Sequence, residues 1–266
     1  MDKAKNEYVS REECYVKSER KINSKTIKKI NREDYYLAGI GKSLLDTTIN
    51  DVGNSQIESI LGEKYNSRII YNDFLENYNL FLNQGKGYIF TGQKGNGKSS
   101  LAALIAMATI DIFDNVNVTF LDWNQYQKKY FFNTFYKKPI DVQMRAKNWI
   151  EKNVENADLL IIDDLGKNKT KDNEKVIQHL TDIMRYRYTN LLPTIITMNL
   201  NYKKFLNIYD DEYQRVSNSI KGRNTILKFT DYSYRDQEYK KQLKDEKRRL
   251  QKQREKLKGK DGNKNG

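Results

Sequence analysis

Apolar runs of strand length alternate with helical patterns through the middle of the chain. Tyr88-Ile89-Phe90, Val116 to Leu121, Leu159 to Ile162, Thr194 to Thr197 and Thr225 to Phe229 read as strands. The third and fourth are nearly continuous in apolar residues, as strands covered on both faces are. Val176, Ile177, Leu180, Ile183 and Met184 recur at helical spacing, with Asp172 placed to cap that helix. Strands alternating with helices predict an α/β fold, a central parallel sheet with helices on both sides.

The flanks lack this pattern. Residues 1–37 are polar and basic, and their scattered Val9, Val16, Ile22, Ile27 and Ile30 permit weak helices but no core of their own. Residues 236–266 form a charged tail in which Leu243, Leu250 and Leu257 repeat every seven residues. That repeat is too short for a coiled coil. The tail reads as a basic helix with a fraying end, and DNA, a partner protein and bare solvent remain its open contacts. Three regions are therefore expected: a small helical N-terminal region over 1–37, a main domain over 38–235, and the basic tail.

Composition narrows the function. With 266 residues, 38% of them hydrophobic, the chain can bury one sizeable core. A net charge of +13 favours anionic partners, nucleic acid or lipid headgroups. The plainer alternative is a solvated basic surface, since abundant Asn, Lys, Ile and Tyr also follow from AT-biased coding. No run approaches the ~20 apolar residues of a membrane span, and the N-terminus has no signal-peptide core. Cys14 is the sole cysteine and His179 the sole histidine, which excludes an intrachain disulfide and a four-ligand zinc site. A zinc-free protein of the reducing cytoplasm is expected.

Gly92-Gln93-Lys94-Gly95-Asn96-Gly97-Lys98-Ser99 satisfies G-x-x-x-x-G-K-[ST] at each fixed position. A strand leads in and an apolar helix leads out, the context the motif needs. Gly92, Gly95, Asn96 and Gly97 let backbone N–H groups close on phosphate oxygens, and the helix N-terminus adds partial positive charge. Lys98 is placed to reach the β- and γ-phosphates of ATP, and the Ser99 hydroxyl to ligate Mg²⁺. Leu159-Leu160-Ile161-Ile162-Asp163-Asp164 is an apolar strand ending in two carboxylates. The expected roles are Mg²⁺ binding for Asp163 and activation of the attacking water for Asp164. Pro193-Thr194 through Met198-Asn199 is a strand ending in a polar residue, either a γ-phosphate contact or a turn-forming Asn.

Together these segments resemble bacterial replicative-helicase loaders of the DnaC/DnaI type, AAA+ ATPases related to IstB, from about Ala38 to Arg235. Ala38-Gly39-Ile40 with Asp46-Thr47-Thr48, Asn156 through Gly166, Glu174-Lys175-Val176-Ile177 and Arg215-Val216 through Tyr232-Ser233-Tyr234-Arg235 carry the likeness. It implies ATP hydrolysis, weak and stimulated by DNA or self-assembly, with Asn199 as the sensor residue. It implies a hexameric replicative helicase held by the N-terminal region, delivery to single-stranded DNA during initiation, and assembly of copies on helicase or DNA. The short stretch after Asn199 leaves no room for a helical lid, and loaders are similar in lacking one. The family's arginine finger falls at Ser219, which cannot stabilise γ-phosphate charge. Arg215, Lys221 and Arg223 are the candidate replacements, Arg215 foremost.

Gln127 through Lys138 interleaves cations with aromatics, a composition suited to single strands. By position in the loaders' inserted helical element, Lys128 and Phe131 resemble DNA contacts. The alternative is an amphipathic helix burying its rings. The loop Gly166 to Lys171 follows the acidic pair and offers Lys171 as a second basic contact. Two other functions fit the same motifs: an IstB-type transposition helper ATPase, and a low-turnover ATP-switched module acting on a host helicase, which a phage or plasmid gene would also supply.

Overall fold

The computed structural model describes residues 32–135, 138–166, 173–209 and 223–231, together with Leu243, Lys244, Glu246, Arg248 and Arg249, which are helical. Three short helices, α1 (Arg32–Leu37), α2 (Lys42–Leu45) and α3 (Ile49–Val52), lead into a hairpin of β1 (Gln56–Ser59) and β2 (Lys64–Asn66). Helices α4 (Ser67–Glu76) and α5 (Tyr78–Gln84) follow, then β3 (Gly87–Gly92), α6 (Lys98–Ile112) and β4 (Val118–Asp122). Helix α7 (Trp123–Tyr126) continues through a π-helical turn, Gln127–Phe131, into α8 (Phe132–Phe135). Helix α9 (Ile140–Ile150) likewise runs into a π-helical turn, Glu151–Glu155. Strand β5 (Leu159–Leu165), α10 (Asn173–Thr189), β6 (Thr194–Met198), α11 (Tyr202–Tyr209) and β7 (Asn224–Phe229) complete the order.

The strands form one 7-stranded sheet in the order β2-β1-β7-β3-β6-β5-β4. Strands β3 to β7 are parallel, while β1 runs antiparallel to both β7 and β2. The five parallel strands are those the apolar runs predict. The hairpin is an addition: β1 carries one core residue, Ile57, too little to register as a run.

Period-two alternation sorts the core into two layers. Tyr88, Phe90, Leu159, Ile161, Ile195, Leu227 and Phe229 face one side, under α4, α5 and α6. Ile89, Leu160, Ile162, Ile196, Met198 and Ile226 face the other, with Trp123, Tyr126, Phe131, Leu180, Ile183 and Phe205. Helix α6 has no polar face from Leu101 to Ile110 and is buried throughout that stretch, as an all-round apolar helix must be. Gly87 is required on β3, because a Cβ there would stand 1.9 Å from the Thr194 carbonyl oxygen.

The start of the described chain belongs to this body. Tyr35 in α1 donates its hydroxyl to Asp111 of α6 at 2.6 Å, and the Phe120 N–H on the sheet's edge strand donates to the Ala38 carbonyl at 2.7 Å. The anchored part thus begins before the expected boundary at residue 38. Asp172, the N-terminal residues 1–31 and most of the tail lie outside the described residues. Among the described residues no helix is long and apolar enough to cross a membrane.

One buried charge holds the end of the sheet remote from the phosphate loop. The Arg187 guanidinium is fully buried and donates to the carbonyls of Val154, Glu155, Ala157 and Pro193 and to the Thr194 hydroxyl. Burial lowers its pKa to about 9, against the nearby Asp158. The side chain therefore ties α10 to the π-helical turn before β5 and to the start of β6. Arg187→Leu should destabilise the fold by about 3–5 kcal/mol, since those oxygens lose their donor in a dry site. A lower urea midpoint with unchanged slope is the expected reading, and an unmoved midpoint would contradict this role.

Candidate functional site

The parallel strands end together, and the chain's polar chemistry gathers there. After β3 the chain turns through the glycine loop into α6. Gly97, the residue before the helix, has φ 95°, a left-handed conformation that favours glycine. Gly92 has φ 134°, and a Cβ on it would stand 2.4 Å from the Phe229 carbonyl oxygen. The loop is thus pressed against the end of β7. Asn96 is fully buried and donates its side-chain amide to that same carbonyl at 3.3 Å.

Lys98 lies folded into the loop. Its ammonium donates to the Gly92 and Gln93 carbonyls at 2.9 and 2.6 Å and to Asn96 Oδ1 at 2.9 Å. The side chain is 5% exposed. Burial brings its pKa down from 10.5 to about 8, and the carboxylates of Asp163 and Asp164 oppose that shift. The Asn96 side chain therefore shapes the loop and receives the lysine, leaving the backbone of the loop to meet a phosphate.

The acidic pair sits across from the lysine at the end of β5. Pairing with β6 slips between Ile162 and Leu165, and Asp164 takes φ 58°, a left-handed conformation that Asp tolerates. The slip turns both carboxylates toward one place. Thr197, 1% exposed on β6, joins them: its hydroxyl donates to Asp163 Oδ1 at 2.6 Å and accepts the Asp164 N–H at 3.0 Å. Asn199 donates its side-chain amide to Asp164 Oδ1 at 2.6 Å. Burial raises the Asp163 pKa, while hydrogen bonds from Thr197 and Ser99 hold it down. Sequence reasoning missed Thr197. The signal it left is one hydroxyl inside the apolar run Ile195-Ile196-Thr197-Met198.

Gly92, Gly95, Asn96, Gly97, Lys98, Ser99, Asp163, Asp164 and Asn199 thus converge. Lys171, Arg215, Ser219 and Lys221 lie outside the described residues. Arg223 precedes β7, beside Gly87 and so at the far end of the sheet from the loop. It donates to the Tyr188 carbonyl at 2.8 Å and stacks over the Tyr188 ring. From there it reaches no phosphate of its own chain.

The aromatic–basic segment divides. Lys128 is exposed, as a phosphate contact requires. Phe131 is not available to a base: it is 1% exposed and stacks on His179 with ring centres 4.5 Å apart. The expectation of a DNA contact at Phe131 is therefore corrected; the buried-ring alternative holds. His179 belongs to the same cluster, hydrogen-bonded to the Tyr126 hydroxyl, and burial lowers its pKa to about 4.

The sheet order, the loop after β3 and the carboxylates at the end of β5 define an α/β P-loop fold of the AAA+ kind. Among solved structures the chain is similar to the DnaC helicase loader, at 22% identity and a TM-score of 0.55, over 71% of this chain and 100% of that one. It is similar also to DnaI, at 20% identity and a TM-score of 0.50, over 72% of this chain and 95% of that one. At such identity the likeness shows the fold, which is the AAA+ fold of these two structures. No protein-family model matches the chain, and no curated protein does.

The burial of Phe131 has a measurable consequence. Phe131→Ala should cost about 3–5 kcal/mol of stability by opening a cavity beside His179. Chemical denaturation checks this, and a fully stable variant would return the ring to the surface.

Proposed function

We propose that this protein is an ATP-dependent helicase loader, which grips a replicative ring helicase and delivers it to single-stranded DNA at initiation. The observation that carries this reading is the joining of Lys98, Ser99, Asp163, Asp164 and Asn199 where the parallel strands end, in the fold of the DnaC helicase loader. Loop N–H groups and the α6 N-terminus suit the phosphates of ATP. Lys98 exchanges its carbonyl partners for phosphate oxygens. The Ser99 hydroxyl and Asp163 carboxylate, already hydrogen-bonded, are hard oxygen donors of the kind Mg²⁺ takes. The bound cation supplies charge neutralisation at the phosphates. Asp164, oriented by Asn199 and by the Thr197 hydroxyl beneath it, takes the proton of the attacking water. In this reading turnover is slow in the free chain and rises on DNA or on self-assembly, with the trans cation drawn from the region of Arg215.

Lys98 and Asp164 should separate binding from turnover. Lys98→Ala should weaken Mg-ATP binding at least about tenfold, ~1.4 kcal/mol. Asp164→Asn should keep ATP and lose hydrolysis; equal loss of both would reverse the roles of the two carboxylates. In the free chain Lys98 gives up its proton near pH 8. ATP affinity should therefore be flat below that pH and fall above it, by up to about tenfold per unit. The same depressed pKa means the folded chain binds fewer protons than the unfolded one between about 8 and 10.5, so this group favours folding as pH rises through that window. Calorimetric titration across the range checks the binding half, and affinity that persists to pH 10 would remove the lysine from the phosphate contact.

The loader reading itself is tested by size-exclusion chromatography with the replicative helicase of the source cell. The full chain should co-elute with the helicase, and a chain lacking residues 1–31 should not, while still binding ATP. Full-strength co-elution of the shortened chain would move the helicase surface to the domain or the tail. Failure of the full chain to co-elute would overturn the reading.

A further inference from the structure

Helices α1 and α2 close against α4 and α6 around a cavity that the nucleotide site does not use. We propose that this cavity binds an organic cation carried on an apolar stem, the chemistry of a lysine side chain or of a free alkylamine, with the Asp111 carboxylate as its counter-charge. The site is independent of the loader reading.

The cavity has a volume of about 360 Å³. Pockets for small organic ligands run from roughly 300 to 1,000 Å³, so a stem of several carbons fits. Helix α6 begins at the phosphate loop and carries Asp111 in its last turn, about 20 Å further on. The walls are apolar: Leu45 of α2 with Leu104, Met107 and Ala108 of α6. Those three α6 side chains keep 7–8% exposure, whereas Ile105 and Ala106 between them have none, so it is the cavity that they line. Three polar residues converge among them: Asp111, Tyr35 of α1 and Tyr71 of α4. The Tyr35 hydroxyl donates to Asp111 Oδ1 at 2.6 Å, which takes one acceptor position of a group that offers about four. Burial raises the pKa of Tyr35, and the hydrogen bond and charge of Asp111 raise it further. Burial and then the same charge raise that of Tyr71. Asp34 of α1 adds its charge at Tyr35. The field in the cavity is therefore negative, in a chain whose net charge is +13. The C-terminal end of α6 adds partial negative charge, and an acid in that turn is disfavoured by the helix itself. A bound cation reverses that cost. Of the cations on the surrounding elements, Arg32 pairs with Asp46, Arg68 donates to Asn50, and Lys42 is exposed at the start of α2. The apolar walls select an organic cation over a hydrated metal ion, which takes six or more oxygen ligands.

The test is a titration of the isotope-labelled full chain, followed by its amide resonances, with n-hexylammonium, n-hexanol and Nα-acetyl-lysine methylamide. The ammonium should bind saturably, and n-hexanol at least about tenfold more weakly. Asp111→Asn should raise the Kd for n-hexylammonium about tenfold and leave that for n-hexanol unchanged. Ala108→Leu fills the cavity and should weaken both, while ATP affinity stays as it is in each variant. Should Asp111→Asn fail to fold, Tyr71→Phe replaces it, with an expected loss of about threefold for the ammonium alone. Binding of the lysine amide as well supports the site and places the cation on a partner chain; binding of n-hexylammonium alone supports it and places the cation on a free amine. Equal Kd for ammonium and alcohol, or an ammonium Kd indifferent to Asp111→Asn and to Tyr71→Phe, would overturn the site and leave the loader reading untouched.

Discussion

Burial of β3, β5 and β6 on both faces is the constraint from which the site follows. A strand covered on two sides has no room for a polar side chain along its length, because an unpaired polar group there costs more than the fold can spare. Polar residues are tolerated where the strands stop and the helices have not yet closed over them. The phosphate loop after β3, the carboxylates in the last residues of β5 and Asn199 after β6 all sit at such ends. Because the strands are parallel, those ends coincide. Thr197, one of the buried hydroxyls on these strands, ties the rest together by donating to Asp163 and accepting from the Asp164 N–H.

The same geometry connects the site to the aromatic element. Asp122 ends β4 in register with Asp163, and its carboxylate caps α7 by accepting the Gln125 N–H at 2.9 Å. The helix that leads to Tyr130 thus starts one strand away from Asp163. On its other side that element leans on α10 through Tyr126, Phe131 and His179, and α10 is the helix that follows β5. Two packed routes thus lead from the ends of the parallel strands to this element, one through the Asp122 cap and one through the rings set against α10.

Most of this was legible in the residues, and what was not has a common cause. The core strands announce themselves as apolar runs, and the phosphate loop by fixed spacing. The acidic pair was recognisable from an apolar strand that stops on two carboxylates. The β1–β2 hairpin was not, because β1 is held by a partner remote in the chain: the Thr230 N–H donates to the Gln56 carbonyl, and the Gln56 N–H to Asp231. Thr197 was missed because its role arises from the register slip opposite it. Phe131 was misplaced because the face it presents is set by a π-helical turn and by His179 on another helix. Each of these depends on contacts between segments distant in sequence, about which local pattern is silent.

The position of β7 bears on how the molecule is made. This strand, Asn224–Phe229, lies between β1 and β3, both of which leave the ribosome far earlier. During synthesis β3 has no neighbour until β6 is available, and the loop lacks the Phe229 carbonyl that receives Asn96 until nearly all of the domain has emerged. The growing chain therefore carries unpaired strand edges through most of its translation, a state exposed to mispairing. The loop is completed only by the last strand, so a chain that stops upstream of Asn224 lacks the carbonyl against which Asn96 is set.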